Sequence, residues 1–120
     1  MKHPASAILT LAIAGTACVA NAHPLLRAAS PMPNAVLTSS PPEVRIKFSE
    51  GLVAAFSGLE LKDGAGRAVP VGAANVDPKD NSELVAQVTA TLSPGTYTVN
   101  WRAVGDDTHH VSGVYRFEVK

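Results

Sequence analysis

The chain has 120 residues, of which ten are Lys or Arg and ten are Asp or Glu, so its formal net charge is zero with neutral histidines. This balance gives no basic patch for nucleic acid and no block of like charge typical of a disordered tail. The length suits one domain with a core between two sheets. Cys18 is the sole cysteine, which excludes disulfides and thiolate metal sites from the chain beyond it.

The first 22 residues have the features of a secretion signal. Lys2 and His3 form a short basic start, an apolar run follows, and residues 20–22 read Ala-Asn-Ala, the small-residue pattern of a signal-peptidase site. The apolar run has about 14 residues, short of the ~20 that a membrane-spanning helix needs. We therefore expect residues 1–22 to be removed as a signal peptide, and residues 23–120 to form one exported domain.

After residue 22, short runs of alternating apolar and polar residues are separated by Gly, Pro, Asn and Asp, a pattern typical of half-buried β-strands. A hairpin is predicted around the Asp63–Gly66 turn, and the proline-rich Ser30–Pro42 segment predicts an ordered extended loop or edge. About seven strands are expected, and the chain is predicted to be an all-β sandwich of immunoglobulin or cupredoxin type. The residues predicted to point inward are Val44, Ile46, Phe48, Leu59, Leu61, Val69, Val71, Leu84, Ala86, Val88, Tyr97, Val99, Trp101, Ala103, Tyr115, Phe117 and Val119.

The position of His23 gives it a special chemistry if the signal is cleaved. As the first residue it would carry a free α-amine, which can close a chelate ring on a metal together with the imidazole Nδ1. Pro24 has no backbone N–H and so cannot add a deprotonated amide nitrogen. Chelation should stop at amine plus imidazole, leaving equatorial positions for other groups.

The acidic loop at residues 105–113 contains Asp107 and His109. If the backbone is extended there, residues two apart project to the same side, and a carboxylate and an imidazole could converge on one ion. With His23 they would form a tetragonal set of three nitrogens and one oxygen, which favours copper(II). Asp-x-His is also common as a solvated turn with a capping Asp, and the sequence leaves open whether the two chain ends meet.

Glu50, His110 and Met32 are the further candidates. In an extended segment His110 would point away from Asp107 and His109, which leaves it as a neighbouring or alternative ligand. Glu50 ends a predicted strand and is either a solvated carboxylate or an acceptor for a ligating imidazole or bound water. Met32 is the single methionine after residue 22 and the only soft donor there for copper(I).

Four segments carry a resemblance to a known family: AHPLLRAASPMPNAVL, PPEVRIKFSEGL, SPGTYTVNWRAVGDD and DTHHVSGVYRFEV. Together they resemble the CopC (PcoC-like) family of periplasmic copper-resistance proteins over essentially all of residues 23–120. The resemblance implies a Greek-key, cupredoxin-like β-sandwich or barrel. It also implies one copper(II) ion held by the amine and imidazole of His23 with Asp107 and His109, and Glu50 corresponds to the family's nearby glutamate.

The resemblance further implies a monomeric carrier or buffer in copper homeostasis and resistance, not an enzyme, that works beside a CopD-like copper transporter of the inner membrane. The segment GLVAAFSGLELKDG contains no Met or His, so the methionine-rich copper(I) site of some members is not expected. His110 stands where the family commonly has Pro, which leaves open which of the paired histidines binds. Two rival hypotheses are a copper oxidase of lytic-monooxygenase type, disfavoured by the short chain and few aromatics, and a metal-free immunoglobulin-like adhesion module.

Overall fold

A computed structural model describes residues 24–120. Within this range the chain forms nine β-strands and a short 3-10 turn at Ala54–Phe56. No helix in the described range is long and apolar enough to cross a membrane. The strands are β1 (Leu26–Ser30), β2 (Val36–Leu37), β3 (Glu43–Phe48), β4 (Gly58–Lys62), β5 (Ala68–Val69), β6 (Asn75–Asp77), β7 (Asp80–Gln87), β8 (Gly95–Val104) and β9 (His110–Val119).

The strands form two sheets, a four-stranded sheet in the order β1-β3-β7-β6 and a five-stranded sheet in the order β2-β9-β8-β4-β5. All neighbours pair antiparallel except β2 and β9, which are parallel. The prediction of an all-β sandwich is confirmed. The sequence pattern does not predict β2 and β6, because their two and three residues are too short to produce an alternation.

The core lies between the sheets and consists mostly of side chains that the alternation predicts, with Leu52, Leu92 and Val104 as buried residues outside that prediction. On β3, Val44, Ile46 and Phe48 are at most 1% exposed, and each buried side chain of this size contributes about 1.5–3 kcal/mol relative to exposure. Aromatic pairs fix the packing further, since Phe48 contacts Trp101 edge-on with ring centroids 5.1 Å apart. The predicted inward residues that are only partly buried, at the margin of the core, are Val69, Val71, Val88 and Trp101.

Charged side chains bind one another across the outer face of the four-stranded sheet. Arg45 on β3 donates to Asp77 at 2.7 Å and to Glu83 at 2.6 Å. Lys47 donates to Asp80 at the start of β7, at 2.5 Å. These bonds connect β3 with β6 and β7 on the side of the sheet that faces solvent, opposite the apolar face of the same strands.

β8 and β9 form the longest hairpin, paired without a register shift from Gly95↔Val119 to Val104↔His110. The loop that joins them lies at the same end of the sandwich as the end of β3, since Leu52 forms a bridge with Gly105. The start of β1 lies there too, because Leu26 pairs with Phe48. We call this end the hairpin end.

Candidate metal centre

A tight turn shapes the loop that carries Asp107 and His109. The Gly105 N–H donates to the His109 carbonyl at 3.1 Å, and the Thr108 N–H donates to the Gly105 carbonyl at 2.9 Å. Thr108 has a φ of 71°, the left-handed conformation that ends a three-residue hairpin turn. The segment is therefore a turn rather than the extended backbone assumed from the sequence.

Asp107 and His109 nevertheless lie side by side, and it is this turn that brings them together. Asp107 Oδ2 lies 2.9 Å from His109 Nδ1, and the backbone N–H of His109 donates to Asp107 Oδ1 at 3.2 Å. The hydrogen bond from the imidazole holds the pKa of Asp107 below its usual value. A charged carboxylate and an imidazole are thus adjacent, with the two side chains 32% and 50% exposed.

Glu50 lies against the same loop. Its Oε1 is buried and has no hydrogen-bond partner among the described residues. Burial raises the pKa of Glu50, and the adjacent Asp107 raises it further. The Glu50 carboxyl lies so close to Gly105 that a methyl group on Gly105 would overlap Glu50 Oε1 and lie 2.9 Å from Glu50 Cδ.

Asp106 contacts the residue after Glu50, and His110 lies on β9. The Asp106 N–H donates to the Gly51 carbonyl at 3.1 Å, and its carboxylate lies over Gly51 beside Asn81. His110 begins β9 opposite Val104 and is exposed. Alternation along β9 puts it on the outer face, since Tyr115 and the other odd-numbered residues point inward. His110 therefore faces solvent at the start of β9.

The start of the described chain is fixed beside Glu50. The Leu25 N–H donates to Ser49 Oγ, and the Ser49 N–H donates to the Leu25 carbonyl, both at 2.8 Å. Pro24 is buried. The chain just before β1 therefore contacts Ser49, the residue before Glu50. His23 and the expected signal peptide lie outside the described residues.

The donors at the hairpin end fit a copper(II) ion in their chemistry. A carboxylate and an imidazole are N and O ligands of the kind that copper(II) binds in tetragonal geometry, and the orphaned Oε1 of Glu50 can accept a hydrogen bond from a bound ligand or water. Residues 24–120 by themselves contain no group of three or more metal-binding side chains.

Sequence reasoning missed the two contacts that assemble this corner. One is the anchoring of Leu25 to Ser49, and the other is the close approach of Glu50 to Gly105. Both are tertiary contacts between segments far apart in the chain, and a serine or a glycine at the end of a strand does not predict them.

Comparison with known proteins identifies the family. The CopC domain family matches residues 26–120. Copper resistance protein C from Escherichia coli is 36% identical over 114 residues, covering 90% of this chain and 90% of that protein. Protein YobA from Escherichia coli K12 is 34% identical over 116 residues, covering 97% of this chain and 92% of YobA.

The fold agrees with this assignment. The crystal structure of CopC from Methylosinus trichosporium OB3b matches with a TM-score of 0.76 and 31% identity, covering 82% of this chain and 94% of that chain. Copper transport protein CutJ from Bacillus subtilis is 28% identical over 98 residues, which are 82% of this chain but 18% of CutJ.

CopC proteins are periplasmic copper-binding resistance proteins and not enzymes, as the sequence resemblance implies. The family match extends from β1 to the last residue, and the two-sheet sandwich is the fold of its solved members. The chain therefore belongs to the CopC family of copper resistance proteins.

Proposed function

We propose that this protein is a periplasmic carrier or buffer that binds one copper(II) ion per chain at the hairpin end. In this proposal residues 1–22 are a signal peptide, and cleavage after Ala22 frees the α-amine of His23. That amine, the His23 imidazole, Asp107 and His109 are the four donors. Copper is the cargo and not a catalytic cofactor.

The juxtaposition that supports this proposal best is that of Leu25 and the Asp107–His109 pair around Glu50. Leu25 is bonded to Ser49, and the next residue, Glu50, lies against the loop. Two residues of chain span at most about 7 Å, a reach that would allow the donors of His23 to bind at this corner. The two ends of the sequence then contribute to one coordination sphere.

Copper would replace the direct contact between Asp107 and His109. Asp107 Oδ2 and His109 Nδ1 are already 2.9 Å apart, so little loop movement is needed for a shared ion. We propose Glu50 as the partner of a ligand or bound water rather than a fifth donor. We propose His109 rather than His110 as the loop ligand, because His110 points along the outer face of the sheet.

Acid should weaken copper binding. The α-amine, whose pKa in a flexible peptide is roughly 7.7–8.0, must lose a proton before it binds a metal, and an imidazole nitrogen binds a metal only without its proton. Carboxylate and nitrogen donors favour the oxidised ion. Met32 follows the end of β1 that is farther from Leu25 and is 67% exposed, so we do not assign it to this site.

The adjacent histidines provide a matched test. Copper(II) titrations followed by electron paramagnetic resonance should compare residues 23–120 with the same chain bearing an extra Gly before His23, and with His109→Ala and His110→Ala. The Gly extension and His109→Ala should each weaken binding by more than the ~10–100-fold typical of losing an outer partner. His110→Ala should leave affinity and spectrum unchanged.

Two outcomes would contradict the ligand set. Unchanged binding by the Gly-extended chain would exclude a role for the free amine. Loss of copper binding in His110→Ala, together with normal binding in His109→Ala, would identify His110 as the loop ligand instead of His109.

Release is proposed to occur to a CopD-like membrane transporter. The relative CutJ, named as a copper transport protein, contains a segment similar to this chain within a much longer sequence. Leu25, 50% exposed, lies at the hairpin end, and Phe56, 63% exposed, ends the 3-10 turn that follows the hydrogen bond from Val53 to Val104. Both side chains offer apolar contacts to such a partner. Phe56→Ser should slow copper transfer to vesicles that contain the transporter while leaving copper affinity intact; an equal transfer rate would exclude this surface.

A further inference from the structure

Gly105 stands at the crossing of the two segments that build the hairpin end. It is buried and bridges to Leu52. A methyl group on its Cα would overlap Glu50 Oε1, and would lie 2.9 Å from Glu50 Cδ and 3.0 Å from Asp107 Oδ1. The space of the missing side chain is thus occupied by two carboxyl groups that belong to different parts of the chain.

Both backbones around this space are fixed. The Ser49 N–H donates to the Leu25 carbonyl, and the Gly51 carbonyl accepts from the Asp106 N–H. The backbone is therefore held in place on both sides of Glu50. Gly105 donates to His109, which closes the turn. A larger side chain at position 105 would therefore be accommodated by rotation of the Glu50 carboxyl out of the corner, since side-chain torsions are the softest degrees of freedom there.

We propose that Gly105 is a positioning residue of the copper site: its lack of a side chain allows the Glu50 carboxyl to lie against Asp107. This inference rests on the proposed copper function. Glu50 then restrains the Asp107 side chain by contact. Gly105 acts on the metal mainly through Glu50, because an added methyl group would overlap Glu50 Oε1 but lie 3.0 Å from Asp107 Oδ1.

The conformation of Gly105 makes this testable with alanine. Gly105 is not among the residues with positive φ, so alanine fits its backbone and adds only the volume of a methyl group. Gly64 is a matched control, because a methyl group there would meet nothing closer than Thr96 O at 3.5 Å, an ordinary contact.

The experiment is a double-mutant cycle on residues 23–120, with variants Gly105→Ala, Glu50→Ala, the double variant and Gly64→Ala. Copper(II) affinity is measured by chelator competition, and the ligand field by electron paramagnetic resonance. Gly105→Ala and Glu50→Ala should each lower affinity about tenfold and shift the spectrum in the same way. The double variant should match Glu50→Ala within about twofold, and Gly64→Ala should match the unmodified chain.

The inference is overturned if Gly105→Ala keeps the normal affinity and spectrum, or if it weakens the Glu50→Ala chain by the same factor as the unmodified chain. Should Gly105→Ala fail to fold, the double variant remains informative, because truncation of Glu50 removes the overlap: a folded double variant supports the inference, and an unfolded one contradicts it. Absence of copper binding by the unmodified chain would instead contradict the proposed function itself.

Discussion

Thr108 occupies a position in the β8–β9 turn that glycine fills more easily. Its φ of 71° lies in the left-handed region, where the Cβ of a branched residue crowds the backbone. The turn requires this conformation because Thr108 donates to Gly105 while His109 accepts from Gly105. Strain of this kind costs about 1–3 kcal/mol and is retained where the surrounding structure imposes it.

Thr108→Gly should stabilise the protein. Relief of the strain is partly offset by the greater freedom of glycine in the unfolded chain, about 0.5–1 kcal/mol, so we expect the free energy of unfolding to rise by about 1 kcal/mol. Urea unfolding followed by the fluorescence of Trp101, the sole tryptophan, measures this. Thr108→Ala keeps the Cβ and is the control; an equal gain in that variant would show that the left-handed strain is not the cause.

The pairing of β3 with β7 combines an apolar inner face with ion pairs on the outer face. Lys47 on β3 donates to Asp80 on β7 at 2.5 Å, and Ser82 also donates to Asp80. The bond from Lys47 and then those from Ser82 lower the pKa of Asp80 from 3.8 to about 2. Because the folded pKa is the lower one, Asp80 contributes stability above the unfolded value and loses that contribution as the pH falls toward 2.

Asp80→Asn should therefore reduce stability at neutral pH and have a diminishing effect in acid. The difference in unfolding free energy from the unmodified chain should stay constant well above the unfolded pKa of 3.8, and it should shrink between that value and the folded pKa of about 2. Denaturant titrations at several pH values measure it, with Glu60→Gln on the exposed face of β4 as control. A difference that persists unchanged to the acid limit would mean that Asp80 acts through packing rather than charge.

The sequence predicts these strands because their apolar residues alternate over five or more positions. Val44, Ile46 and Phe48 are recognisable in this way, whereas β2 depends on its pairing with β9, a tertiary interaction.

The candidate site is likewise predictable in part from local sequence and in part only from tertiary structure. The spacing of Asp107 and His109 marks them as a pair. Their contact arises from a turn that a threonine at position 108 does not favour, so the backbone conformation that joins them could not be predicted from the sequence.

For the molecule as a whole, the proposed site connects His23, the first residue of the proposed mature chain, with the β8–β9 hairpin. A ligand that binds only the folded state stabilises it by RT ln(1 + [L]/Kd). Copper that holds the entry to β1 against the β8–β9 loop would close the sandwich at the hairpin end, where Leu25 is tied to Ser49 by two hydrogen bonds.

Copper(II) should consequently raise the thermal stability of residues 23–120. With free copper at about a hundred times Kd the gain is about 2.7 kcal/mol, which circular dichroism melting detects and which excess chelator should abolish. The chain with an extra Gly before His23 should gain much less. Equal stabilisation of both chains would place the bound copper away from the N-terminus.

The uninterrupted pairing of β8 with β9 also has a kinetic consequence. Contacts across a three-residue turn form sooner than those between distant segments, since less chain entropy is lost in closing them. Val99→Ala, in the hairpin, should therefore slow refolding, whereas Ile46→Val, in β3, should chiefly speed unfolding; stopped-flow measurements giving the reverse order would refute this. Asp107 and His109 would then be in contact in the refolding chain before β1 has docked, so two of the proposed donors would be paired before the native state forms.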